Sequence, residues 1–259
     1  MVSELFYQRA FLGFSALLFA ASATVTIVWC ASMSAMGEMP MPGGWTMSMA
    51  WMRMCGQTWP NAAASFIGMW VAMMVAMMLP SLTPMLWHYR QAVGARSGWL
   101  TALVGTGYFC VWAVLGAAAF VLGSALSALE MQFPALARGA PVATGVVVLI
   151  AGALQFTSWK ARRLDCCRSD SGCGGVMQAD AATAWRHGLR LGLRCNSCCV
   201  GLTAILLVMG VMDLRVMAAV TAAITVERLA PAGDRAAKAI GAVVVVVGLI
   251  LIARAMGLG

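Results

Sequence analysis

Charge is scarce in this chain. Of its 259 residues, 17 are Lys or Arg and nine are Asp or Glu, 10% in all, and only two are His. A soluble domain of this size ordinarily carries about 25% charged residues, so a water-exposed surface cannot be built here. Two other absences bear on function. No Gly-rich phosphate loop with its Lys occurs, and neither does the aspartate motif of a phosphorylated pump. ATP-driven pumping by this chain alone is therefore not expected. The basic residues behind the net charge of +8 are dispersed, which gives no footprint for nucleic acid. No catalytic residue is expected, and the chain reads as a non-enzyme.

Apolar surface is what the chain has in quantity. It is 62% hydrophobic with a mean hydropathy of +0.86, the composition of a multi-pass membrane protein whose surroundings are a lipid bilayer. Hydrophobic runs at Ala10–Ala31, Ala62–Trp87, Trp99–Ala128, Val142–Trp159, Cys195–Met212, Val216–Val226 and Ala239–Ala255 predict an all-α polytopic bundle. About seven spans are expected, or six if the short sixth run does not cross. The whole of 1–259 reads as a single membrane domain, with a Met-rich outer segment at 32–61 and a Cys- and Arg-containing inner loop at 160–194. With the N-terminus inside, only Arg53, Arg138, Arg215 and Arg254 of the 17 basic residues fall outside. That bias predicts N-in and C-out. A signal peptide ending near Ala21-Ser22-Ala23 is the competing reading of the first run. Its apolar stretch of about 20 residues exceeds the usual 7–15.

Ala62–Trp87 carries no charge and is long enough for a membrane core, which takes about 20 helical residues. It contains Met69, Met73, Met74, Met77, Met78 and Met85. At about 100° per residue, Met69, Met73 and Met77 share one quadrant with Pro80 and Pro84, and the other three Met occupy the next. Val71, Ala72, Val75, Ala76, Leu79, Leu82 and Leu86 form the opposite half, facing lipid or packing. Pro80 lacks an N–H and crowds the Ala76 carbonyl, which predicts a bend where sulfur is densest. Such a stripe is either flexible core filler or a path for a soft metal.

The outer segment adds Met33, Met36, Met39, Met41, Met47, Met49, Met52 and Met54, interrupted by Pro40, Pro42, Gly43 and Gly44. Thioethers select Cu(I) over Zn or Mg and survive an oxidising compartment without pairing. An exposed Met cluster is thus a sensible outer-face Cu(I) ligand set. The other reading is an interfacial loop anchored by Trp45, Trp51 and Trp59. Cys30 and Cys55 at its ends are candidates for a disulfide or for a metal.

Six of the nine Cys lie on the inner side: Cys166, Cys167, Cys173, Cys195, Cys198 and Cys199. Thiols stay reduced in cytoplasm. Positions i, i+3 and i+4 share a helix face, so Cys195, Cys198 and Cys199 can present three sulfurs together. Arg190, Arg194 and a helix N-terminus would favour thiolate, and converging thiolates suit Cu(I) or Zn. Glu227 lies at a membrane boundary, where an ionisable group is a functional candidate. An ion pair with a nearby Arg is the alternative. Cys110 reads as a small buried residue, and His88 as an interfacial one.

Several of these runs carry a resemblance. Trp70 through Ser81 with Pro84-Met85, Lys160 to Ser169, and Gly188 to Cys199 continuing through Met212 to Glu227 resemble the bacterial family catalogued as domain of unknown function 2182, described as predicted metal-binding integral membrane proteins. The likeness covers roughly residues 60 to 230. Where the family run resembles K-x-x-C-L-x-x-C-R-S, Arg163 stands at its first cysteine, Cys167 at its second, and an additional Cys166 precedes it. The resemblance implies a bacterial inner-membrane, multi-pass metal binder.

Together these features predict Cu(I) handling by transport or chaperone-like delivery, with Zn as the other metal. Cys166, Cys167, Cys195, Cys198, Cys199, Met69, Met73, Met77, Met78 and Glu227 are the candidate metal-site residues. A soluble metallochaperone or metalloenzyme is the partner such delivery needs. The competing functions are a thiol–disulfide electron carrier, which leaves the Met unexplained, and a non-catalytic assembly subunit.

Overall fold

The computed structural model describes residues 2–257 apart from 36, 38, 43, 54, 55, 95, 96 and 169–179. Among the described residues are eight α-helices: α1 Val2–Ala35, α2 Trp59–Val93, α3 Ser97–Gln132, α4 Pro134–Leu154, α5 Ser158–Arg168, α6 Ala181–Met209, α7 Leu214–Leu229 and α8 Gly233–Ala255. One hairpin joins β1 (Met39–Met41) to β2 (Trp45–Met47), with Met41 opposite Trp45. The chain folds as the all-α bundle its hydropathy predicts. Six helices are long and apolar enough to cross a membrane: α1, α2, α3, α4, α6 and α8. The short sixth hydrophobic run becomes α7, 16 residues or about 24 Å at 1.5 Å per residue, less than a hydrocarbon core of about 30 Å.

Half of the α2 apolar window is buried, against 6% for α1, so α2 is the helix the others surround. Phe11, near the start of α1, packs at 5.5 Å on Trp87, near the end of α2, as in an antiparallel pair. Trp70 of α2 donates from Nε1 to the Trp112 carbonyl of α3 at 2.9 Å. On the far side, α4 and α8 close through glycines. A Cβ on Gly152 would lie 2.8 Å from Val245 N, and one on Gly248 2.7 Å from Leu149 N. Small residues let helix backbones approach where lipid offers no hydrophobic drive to association.

The segment read as an inner loop is largely helical. α5 takes its beginning, and α6 starts at Ala181, leaving Cys173 outside the described residues. Cys195 therefore stands well inside α6, so no helix N-terminus acts on its thiol, contrary to the expectation from hydropathy. The physical reason is a glycine face. A Cβ on Gly188 would strike the Val104 carbonyl, and one on Gly192 would lie 2.8 Å from the Tyr108 carbonyl. Burying that face on α3 carries the helix through a stretch that also bears Arg186, Arg190 and Arg194.

α2 runs through Pro80 and Pro84 without ending. The hydroxyls of Ser81 and Thr83 donate to the Met78 and Leu79 carbonyls at 3.0 and 2.7 Å, the kind of local polar support that proline-bearing membrane helices use. The outer segment departs from its expectation. Met41 and Met47 are buried against Ala137, whose carbonyl accepts from Trp45 Nε1 at 2.7 Å. Met33, Met39, Met49 and Met52 are half-buried. None of these six is an exposed ligand, because an apolar thioether gains by folding under the hairpin. Met36, Met54 and Cys55 lie outside the described residues.

Candidate metal centre

Sulfur gathers where α2, α5, α6 and α7 meet. Met69, Met73, Met74, Met77 and Met78 of α2 are all buried, none more than 3% exposed. Cys195, Cys198 and Cys199 of α6 are buried on one face, as their spacing predicts. Cys195 Sγ lies 3.9 Å from Met78 Sδ and 4.0 Å from Cys199 Sγ. Two sulfurs each about 2.3 Å from one ion stand roughly 3.8–4.0 Å apart in tetrahedral or trigonal coordination. These separations are of that size.

The two inner-loop cysteines part company on α5. Cys166 is exposed, while Cys167 is buried and faces α6. Cys167 Sγ donates to the Arg194 carbonyl at 3.2 Å. The neighbouring Cys198 sulfur, together with burial, raises the Cys167 thiol above its ordinary range. Among the described residues, no three His, Cys, Asp or Glu side chains surround a common point that could hold a metal. Among the described residues, a three-sulfur group at Cys195 therefore includes a thioether.

Polar groups wrap this sulfur cluster. Tyr108 of α3 donates its hydroxyl to Cys195 Sγ at 2.9 Å, a contact made possible by the glycine face one turn earlier on α6. Arg228 of α7 reaches Cys195 Sγ with Nη1 at 3.2 Å, Ser81 Oγ with the same nitrogen at 2.9 Å, and Met85 Sδ with Nη2 at 3.4 Å. The cation that reaches Cys195 is thus Arg228, whereas local spacing had pointed to Arg190 and Arg194. Arg190 is exposed, and Arg194 offers Cys167 its carbonyl.

Glu227 does form an ion pair, but with Lys160 of α5 at 2.7 Å rather than with an arginine. Lys160 Nζ also donates to the Cys198 carbonyl at 2.8 Å. Burial works against the Lys160 ammonium, yet Cys198 and Glu227 outweigh it, and its pKa is raised. Both members are at most 5% exposed, so each charge depends on the other for its stability in the interior. The pair fastens α5 and α7 to α6 directly behind Cys198.

Sequence reasoning had named the cysteines and the Met stripe but not Tyr108, Ser81, Arg228 or Lys160. For Arg228 and Lys160 a signal existed, since each is an ionisable residue beside an apolar run. Ser81 ends the run that carries the family resemblance, whereas Tyr108 carries no signal in the sequence. Of the remaining residues, His88 is exposed while its neighbour Tyr89 stacks on His187 at 5.4 Å. Cys110 is half-buried on α3, apart from the cluster.

Residues 67–251 match the model of the PpoB2 family, described as copper chaperone. That span takes in the Met stripe, α5, the Cys195 face and Arg228. No curated protein and no solved structure matches the chain.

Proposed function

The chain belongs to the PpoB2 copper chaperone family, and from that membership we propose that it binds Cu(I) through mixed Cys and Met sulfur inside the membrane and hands it on without catalysis. That it is a multi-pass membrane protein of copper handling follows from the family and the six apolar helices. The observation that carries the finer reading is the contact of Cys195 with Met78 and Cys199. A thioether beside thiols is a ligand set that selects Cu(I), whereas Zn takes Cys, His and carboxylate. The Met stripe of α2 leads away from this point as a buried row of soft sulfur.

Within the proposal, each residue has a part. Cys195 and Met78 hold the ion, with Cys199 completing the group and Cys198 of α6 and Cys167 of α5 as the next acceptors. Tyr108 and Arg228 fix the direction of the Cys195 sulfur. The positive-inside bias puts this end of the bundle on the cytoplasmic side of a bacterial inner membrane, where a soluble metallochaperone or metalloenzyme would exchange copper with it. The likeness to the family catalogued as domain of unknown function 2182 supports the same class.

Copper and zinc measured per chain in protein purified under reducing conditions test the proposal. Copper near or above one ion per chain, lower by about one ion in Cys195→Ser, is the expected result. Zinc at that level, or no metal after Cu(I) loading, would refute it.

A further inference from the structure

A second sulfur pair sits away from the Cys195 cluster. Cys30 of α1, only 2% exposed, lies with its Sγ 3.9 Å from the Sδ of Met212 in the turn between α6 and α7. The separation equals that between Cys195 and Met78, close enough for both sulfurs to reach one shared ion. The turn is built to hold Met212 in place. Gly210 adopts φ +126°, the Asp213 N–H donates to the Gly210 carbonyl at 3.2 Å, and Asp213 Oδ1 caps α7 by accepting from Arg215 N and Val216 N. Cys30 is a free thiol.

Along the membrane normal this pair lies level with the other end of the Met stripe. α1 and α2 run antiparallel with Phe11 on Trp87. At about 1.5 Å per residue, Cys30 is then nearly level with Met69. From Met69 the buried thioethers descend through Met73 and Met77, with Met74 and Met78 beside them. Steps of four residues advance about 6 Å along the axis. The last of them touches Cys195.

We infer that Cys30 and Met212 form a second Cu(I) site, at the opposite end of the α2 Met row from Cys195. One thiolate with one thioether supplies two soft donors to a monovalent ion, chemistry that excludes Mg and Ca. With this site the chain has a loading point at each end of one buried sulfur row, so the ion travels along that part of α2 between the two sites. The inference rests on the Cu(I) reading of the protein, yet its residues are separate from those of the Cys195 group.

Anaerobic titration of the reduced, detergent-purified full chain with Cu(I), against a chromogenic Cu(I) chelator, tests it. Cys30→Ala and Met212→Leu should each bind one equivalent fewer than wild type, and the double variant should lose no more than either. Met212→Leu keeps volume and hydrophobicity, so its loss would not reflect misfolding. Cys195→Ser should lose a different equivalent, additive with Met212→Leu. Wild-type stoichiometry in both Cys30→Ala and Met212→Leu overturns the second site while leaving the Cys195 reading intact. Loss in Met212→Leu with none in Cys195→Ser keeps the second site and removes the first. A wild type that binds no Cu(I) overturns both.

Discussion

Met78 Sδ and Cys195 Sγ lie 3.9 Å apart, which ties α2 to α6 at the centre of the bundle. One is a neutral thioether and the other an ionisable thiol, so their weights can be separated by substitution. Met78→Leu keeps volume and apolar character, a swap that usually costs less than about 1.5 kcal/mol. Cu(I) affinity should fall about tenfold or more while expression and thermal unfolding in detergent stay near wild type. Equal affinity in a competition titration would return Met78 to packing alone.

The Lys160–Glu227 pair predicts an asymmetry in stability. Glu227→Leu leaves a buried ammonium without its counter-charge, which costs about 3–5 kcal/mol. The double change Lys160→Met with Glu227→Leu should recover much of that loss. Melting of the purified variants checks this, and a double variant no more stable than the single would contradict it.

Gly188 and Gly192 set the distance between α3 and α6, and hence whether Tyr108 reaches Cys195. Gly188→Leu should prevent accumulation of folded protein. Gly13→Leu, at an exposed glycine with nothing within 4 Å of a built Cβ, should be silent. Detergent-extractable yield by gel filtration distinguishes them.

Proton competition gives a pH dependence. Cys167 holds its proton through neutral pH, because the neighbouring Cys198 sulfur and burial raise its pKa. Ligation by this thiol must displace that proton, so its share of Cu(I) affinity rises with pH and is lost as pH falls. Affinities measured between about pH 6 and about pH 8 should show a shallower slope in Cys167→Ser than in wild type.

Much of the bundle could be read directly, and the exceptions have identifiable causes. The Met stripe of α2 and the shared face of Cys195, Cys198 and Cys199 follow from helical period alone, and all of these residues except the half-buried Met85 are buried. The extent of α6 did not follow from hydropathy, because the arginines before Cys195 lower it while Gly188 and Gly192 secure the helix by close packing that a hydropathy window cannot register. The pairing of Glu227 with Lys160 and of Arg228 with Cys195 joins residues far apart in sequence. Spacing favours near neighbours, so it pointed to Arg190 and Arg194. The burial of Met41 and Met47 depends on a hairpin seated on Ala137, a tertiary contact with no local signal.

X-ray absorption at the copper edge, recorded on the reduced and Cu(I)-loaded wild type, addresses the central claim most directly. The account predicts a first shell of sulfur alone, with fewer sulfur neighbours or lost copper in Cys195→Ser and Met78→Leu. A shell containing nitrogen or oxygen, or a sulfur shell unchanged in both variants, would contradict it.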